Sequence, residues 1–264
     1  MTNSIDDRVN YELVDAVARI ELAHGSANSL DRRMGAALKT AAERAAQDAE
    51  SGAARVVLVC AQGRMFSVGG DLAAFAASAD RGAEVGATAD GLHAGLTILR
   101  SLDVPVVSVL QGTAAGGGLG IGLVGDIVIA AAEAKLVMAY TASGLTPDCS
   151  LTWVLANRLT WARAMDLTLT NRVLTGAEAA DWGLVSRAVP GDELPGAVEG
   201  LVSTLRHGAS GAFVNSKRLL REAGDRTLVE QLDQEAATIS RLIAEPEGLE
   251  GVDAFLDKRQ PSYS

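Results

Sequence analysis

Gly112-Thr113-Ala114-Ala115-Gly116-Gly117-Gly118-Leu119-Gly120-Ile121-Gly122 is the stretch whose reading decides the fold. An apolar, β-branched run precedes it at 104–110, with Pro105 near its start. An almost wholly apolar segment, 119–132, follows. The order reads as strand, tight glycine turn, buried helix. Glycines let such a turn carry backbone N–H groups close to a ligand. The first turn of a helix adds unpaired donors and the positive end of a dipole. That combination suits an anion, or a carbonyl oxygen that becomes anionic. A crowded helix start has the same letters, so the stretch alone fixes no ligand.

A second turn of the same design lies upstream. Residues 55–60 read as a buried strand, and Phe66-Ser67-Val68-Gly69-Gly70-Asp71-Leu72 is the glycine turn behind it. Two backbone donors from separate turns that meet on one oxygen form an oxyanion hole. Two plain strand-to-helix connections would share the pattern.

The rest of the chain is read around these turns. Residues 10–22 alternate as two strands turning near Asp15, and 30–50 have helical spacing with Ser29 or Asp31 as cap. Residues 73–90, rich in Ala, Gly and Asp, read as a mobile loop with short helical pieces. A helix over 90–102 carries Leu92, Leu96, Leu99 and Leu102 on one side. Strands are expected at 126–131, 135–139 and 183–190, and helices at 151–158, 161–170 and 177–180. Beyond residue 190 every expected element is helical: 194–206, 211–223, 228–244 and 248–258. The chain is thus an α/β protein with one boundary, between 1–190 and 191–264.

Composition narrows the function. A chain of 264 residues with 48% hydrophobic content can bury a large core. A net charge of −10 without a long Lys/Arg cluster argues against a nucleic-acid partner. The two cysteines, Cys60 and Cys149, make neither a disulfide framework nor a zinc spacing, so no metal is expected. The N-terminus lacks a signal-peptide pattern and no apolar run is long enough to span a membrane, so a soluble cytoplasmic protein is expected.

Several side chains could carry chemistry. Asp148 follows Pro147 at a helix start, where it is either an N-cap or an acid. His93 lies on the margin of the leucine stripe. Tyr140 and Arg64 are ambiguous, and no spacing recommends a Cys149/His93 nucleophile pair. Gly120-Ile121-Gly122-Leu123-Val124-Gly125 matches the dinucleotide fingerprint by letter. It falls inside the expected helix rather than directly after a strand, so no nucleotide cofactor is expected.

Four blocks in this order resemble the crotonase superfamily, the enoyl-CoA hydratase/isomerase family. They are the turn Phe66-Ser67-Val68-Gly69-Gly70-Asp71-Leu72, the segment 105–118, Gly144-Leu145-Thr146-Pro147-Asp148, and the segment 174–185. The resemblance implies a core of ββα turns wound in a spiral, with a C-terminal helical trimerisation region and a homotrimer or homohexamer. It implies an acyl-CoA thioester as substrate, with no cofactor beyond the coenzyme A of that substrate. The thioester oxygen would sit between the N–H groups of Val68 and Gly117, beside Gly69, Gly116 and Tyr140. Asn28, Lys258 and Arg259 would meet the adenine and phosphate end.

The departures direct the mechanism. Hydratases of this family carry two glutamates; here those positions hold Gly120 and Tyr140. Two-glutamate addition of water is therefore not expected. Asp148 matches an aspartate that moves protons in ring-epoxide isomerases of phenylacetate breakdown and in some double-bond isomerases. The segments 134–140, 147–149 and 250–259 resemble the epoxide isomerase further. In 4-chlorobenzoyl-CoA dehalogenase the matching aspartate is a nucleophile, and a histidine matching His93 activates water. The tryptophan of that enzyme is replaced here by Tyr140. Three readings result: isomerisation by Asp148, hydrolysis or dehalogenation by Asp148 and His93, and a CoA-binding protein without catalysis.

Overall fold

The computed structural model describes residues 3–263. The chain opens with β1 (Asn3–Ile5), β2 (Val9–Val14) and β3 (Val17–Leu22), then α1 (Arg32–Glu50) and β4 (Val56–Ala61). It continues through α2 (Leu72–Ala77), α3 (Arg81–Ser101), β5 (Val106–Leu110), β6 (Ala114–Ala115) and α4 (Gly117–Gly122). Next come β7 (Ile127–Ala131), β8 (Lys135–Val137), α5 (Leu151–Arg158), α6 (Trp161–Thr170), β9 (Leu174–Thr175), α7 (Gly176–Asp181) and β10 (Arg187–Val189). Four helices finish it: α8 (Leu194–His207), α9 (Ser210–Glu222), α10 (Leu228–Leu242) and α11 (Pro246–Leu256).

A seven-stranded sheet runs β1-β2-β3-β4-β5-β7-β10, antiparallel through β3 and parallel from there on. The central parallel strands β4, β5 and β7 are nearly continuous apolar runs because both faces are covered. Every residue of β5 is buried, and Val107 stands opposite Ile127. A small second sheet, β6-β8-β9, lies beside the glycine turns.

One sequence expectation changes. Residues 73–90, read as a mobile loop with short helical pieces, hold nearly all of α2 and the first half of α3. Asp71 and Asp80 cap those helices by accepting from Ala74 N and Ala83 N. The strand expected at 126–131 is found as β7, and the helix before it, α4, stops at Gly122.

The switch to helices after residue 190 is as expected, yet packing breaks later. Leu194 and Leu205 of α8 belong to the main core, whereas α9, α10 and α11 bury only Thr238 and Ala254. Those last helices expose Leu228, Val229, Ile239, Phe255 and Leu256. No helix among the described residues is long and apolar enough to cross a membrane.

Candidate active site

The fold lays the two glycine turns side by side. Phe66 N and Ser67 N donate to the Thr113 carbonyl at 3.0 and 3.1 Å, and Ala115 N donates to Ser67 O at 2.9 Å. This approach needs glycine. A Cβ on Gly69, whose φ is +87°, would stand 2.7 Å from the Ala115 oxygen. Gly116, at φ +51°, turns the chain into α4 while its own N–H donates to Val137 O.

The two expected oxyanion donors differ in state. Gly117 N–H, at the first position of α4, has no acceptor among the described residues. Val68 N–H donates to the Ala27 carbonyl at 3.0 Å. An acyl oxygen arriving at Val68 must share that proton or displace the carbonyl. Both residues, with Gly69 and Gly116, line a cavity of about 600 Å³. Its apolar wall comes from Leu72 and Phe75 of α2, Val85, Ala89 and Leu92 of α3, and Leu145.

Asp148 lines the cavity and is paired with His93, which is not among the lining residues. His93 Nε2 lies 2.6 Å from Asp148 Oδ1, with the side chains 47% and 37% exposed. The cap of α5 is Ser150, not Asp148, so the carboxylate is free of the capping role open to it in the sequence. Cys149 follows, buried, with its sulfur 3.8 Å from Asp148 Oδ2. His93, Asp148 and Cys149 each place a donor atom within 4.8 Å of the others. The Tyr140 hydroxyl lies against Cys149 and the Asp148 backbone. Burial, then the Cys149 and Asp148 charges, push Tyr140 above the usual phenol range.

The position matching the first hydratase glutamate is closed. A Cβ on Gly120 would overlap the Cys149 carbonyl oxygen and stand 2.6 Å from Cys149 Cβ. The fingerprint-like glycines are packing devices as well. A Cβ on Gly125 would lie 2.7 Å from Ser108 Oγ, and Gly122 presses against Leu110.

None of the three residues implied for the CoA end is among those lining the cavity. Asn28 is fully buried and spends its amide on the protein. Its Oδ1 accepts from His24 N at 2.8 Å, and its Nδ2 donates to Gln62 O, Met65 O and Phe66 O. The Asn28 side chain staples the loop below the first turn and is not presented to a ligand. Lys258 and Arg259 follow α11 and are not among the residues lining the cavity. Arg259 is paired with Glu250 at 2.6 and 2.9 Å, and that guanidinium holds Glu250 down to about 2.

Comparison with known proteins decides the family. The family model described as enoyl-CoA hydratase/isomerase matches residues 12–264. The chain belongs to the enoyl-CoA hydratase/isomerase family. It is 32% identical over 271 residues to a probable enoyl-CoA hydratase of Rhodobacter capsulatus, covering 97% of each chain. It is 37% identical over 166 residues to the 1,2-epoxyphenylacetyl-CoA isomerase of Escherichia coli, covering 63% of each. The crystal structure of an enoyl-CoA hydratase from Polaromonas sp. JS666 superposes with a TM-score of 0.88 at 29% identity, over 97% of this chain and 100% of that one. The crotonase fold expected from the sequence is therefore the fold found, and the protein is an enzyme of this family acting on acyl-CoA.

Proposed function

We propose that this family member isomerises an acyl-CoA thioester through an enolate, with Asp148 carrying the proton. The observation behind this reading is a single carboxylate, Asp148, among the residues lining the cavity, on the same wall system as the free Gly117 N–H. Both positions that hold glutamates in hydratases lack a carboxylate, and Gly120 has no room for one.

The chemistry is a matching of acidities. Hydrogen bonds from Gly117 and Val68 to the thioester oxygen stabilise the enolate and bring the carbon acid toward a carboxylate base. Loss of one such donor typically costs about 2.7–4 kcal/mol of barrier. Asp148 then returns the proton at another carbon, and the double bond or ring moves. Incubation with a panel of 3-enoyl-CoA esters tests this by the absorbance of the conjugated 2-enoyl product. No conjugation across the panel, with acyl-CoA still bound, would leave the reading of a CoA-binding protein.

The His93–Asp148 contact supports a second reading. Asp148 could attack an aryl or acyl carbon while His93 prepares water for the ester intermediate. Release of halide from a haloaroyl-CoA would favour it. For assembly, we propose a homotrimer or homohexamer in which copies cover the exposed apolar faces of α10 and α11. Light scattering on the eluting protein tests this; a monomer at micromolar concentration would refute it.

A further inference from the structure

Cys149 has no part in the proton transfer proposed above, yet it is wedged into that site from two sides. Toward the solvent side, its sulfur lies 3.8 Å from Asp148 Oδ2, and the Tyr140 hydroxyl rests against it. Toward the core it abuts α4. A Cβ on Gly117 would stand 3.1 Å from Cys149 Sγ, and Gly120 leaves room only for a hydrogen against Cys149 Cβ. The backbone is constrained too. Cys149 and Ser150 are consecutive left-handed residues at φ +52° and +66°, a conformation that side-chain-bearing residues hold only when packing enforces it.

We infer that Cys149 is the positioning residue of Asp148: its S–H donates to Oδ2, and its packing on Gly117 and Gly120 fixes the carboxylate relative to the oxyanion donor. This rests on the reading of Asp148 as the acid/base group. The carboxylate is then held at both oxygens, by His93 from α3 at Oδ1 and by the thiol at Oδ2. Tyr140 faces the same group. Burial, the Asp148 charge and the hydrogen bond to it push the thiol well above its ordinary range. Cys149 thus keeps its proton at neutral pH and acts as a donor, not as the nucleophile of a Cys149/His93 pair.

The test compares Cys149→Ala, which removes the donor, with Cys149→Ser, which keeps one. Cys149→Ala should lower kcat about tenfold to a hundredfold at nearly unchanged KM, as expected for a misplaced reacting group. Cys149→Ser should restore most of the lost turnover. A second readout does not need turnover. The chain has two cysteines, so Cys149→Ala assigns the infrared S–H stretching bands of Cys149 and Cys60. In Asp148→Asn the Cys149 band should rise in frequency as its acceptor weakens. An unmoved band, or wild-type kcat in Cys149→Ala, overturns the inference. Absence of any isomerase turnover in the wild type would instead strike the proposed function, and the infrared comparison would still decide the thiol–carboxylate contact.

Discussion

His93 Nε2 and Asp148 Oδ1, 55 residues apart in the chain, stand 2.6 Å apart. The helix α3 supplies the first and the loop before α5 the second. In an isomerase this contact orients the carboxylate, whereas in a hydrolytic enzyme the imidazole must also activate water. The two roles differ in cost. His93→Gln removes one oriented hydrogen bond, so isomerase turnover should fall only about threefold to tenfold. Steady-state kinetics on a 3-enoyl-CoA ester measure it. A loss of several orders of magnitude would point to the hydrolytic reading.

Gly120 should not accept the glutamate of a hydratase. Its Cβ direction is filled by the Cys149 carbonyl and Cβ, within the short buried helix α4. Gly120→Glu should cost at least about 1–3 kcal/mol in overpacking alone. Urea unfolding measures that loss, and assay with 2-enoyl-CoA should show no gain of hydration. A stable variant that hydrates would mean that the 149–150 backbone yields easily.

Asp31 joins the edge of the sheet to α1. Its Oδ1 accepts from Met34 N at 2.7 Å, capping the helix, and Arg8 grips both oxygens at 2.7–3.1 Å. Burial pushes this carboxyl up, but the Arg8 and Met34 hydrogen bonds and the Arg8 charge outweigh it and hold the carboxyl below its ordinary 3.8. A carboxylate depressed in the folded state stabilises above its unfolded value and loses that contribution as pH falls through the folded one. Loss of the cap costs about 0.5–2 kcal/mol. The partly buried Arg8, left unpaired, adds roughly 1–3 kcal/mol. Asp31→Ala should therefore lower the urea midpoint at pH 7, and the gap to wild type should narrow below about pH 3.8. A gap that stays constant down to pH 2 would contradict this.

The sequence was legible where burial uses apolar side chains and illegible where it uses backbone. The strands β4, β5 and β7 announce themselves as β-branched runs. The first half of α3 does not, because it packs on α1 through glycines. A Cβ on Gly35 would stand 2.8 Å from Thr88 O, and one on Gly91 2.7 Å from Gly35 C. A helix seated by such contacts carries no apolar stripe, and 73–90 reads as loop. Asn28 misleads for the opposite reason. A polar residue in a loop looks available to a ligand, and only the fold shows its amide turned inward among Gln62, Met65 and Phe66. Asp148, Gly117 and Tyr140 are readable by resemblance, and the structure gathers them at one cavity. The approach of Cys149 to that group, and the engagement of Val68 N–H with Ala27, have no periodic or motif signal. They arise from how two loops are stacked.

Asp148 is expected to exchange a proton with a carbon of the acyl chain. Exchange in deuterated water, followed by proton NMR of a bound or turning-over enoyl-CoA, measures that step without depending on net product. Wild-type enzyme should wash deuterium into the α or γ carbon, and Asp148→Asn should bind the ester with nearly unchanged affinity but incorporate almost none. Incorporation at the wild-type rate in Asp148→Asn would contradict the account.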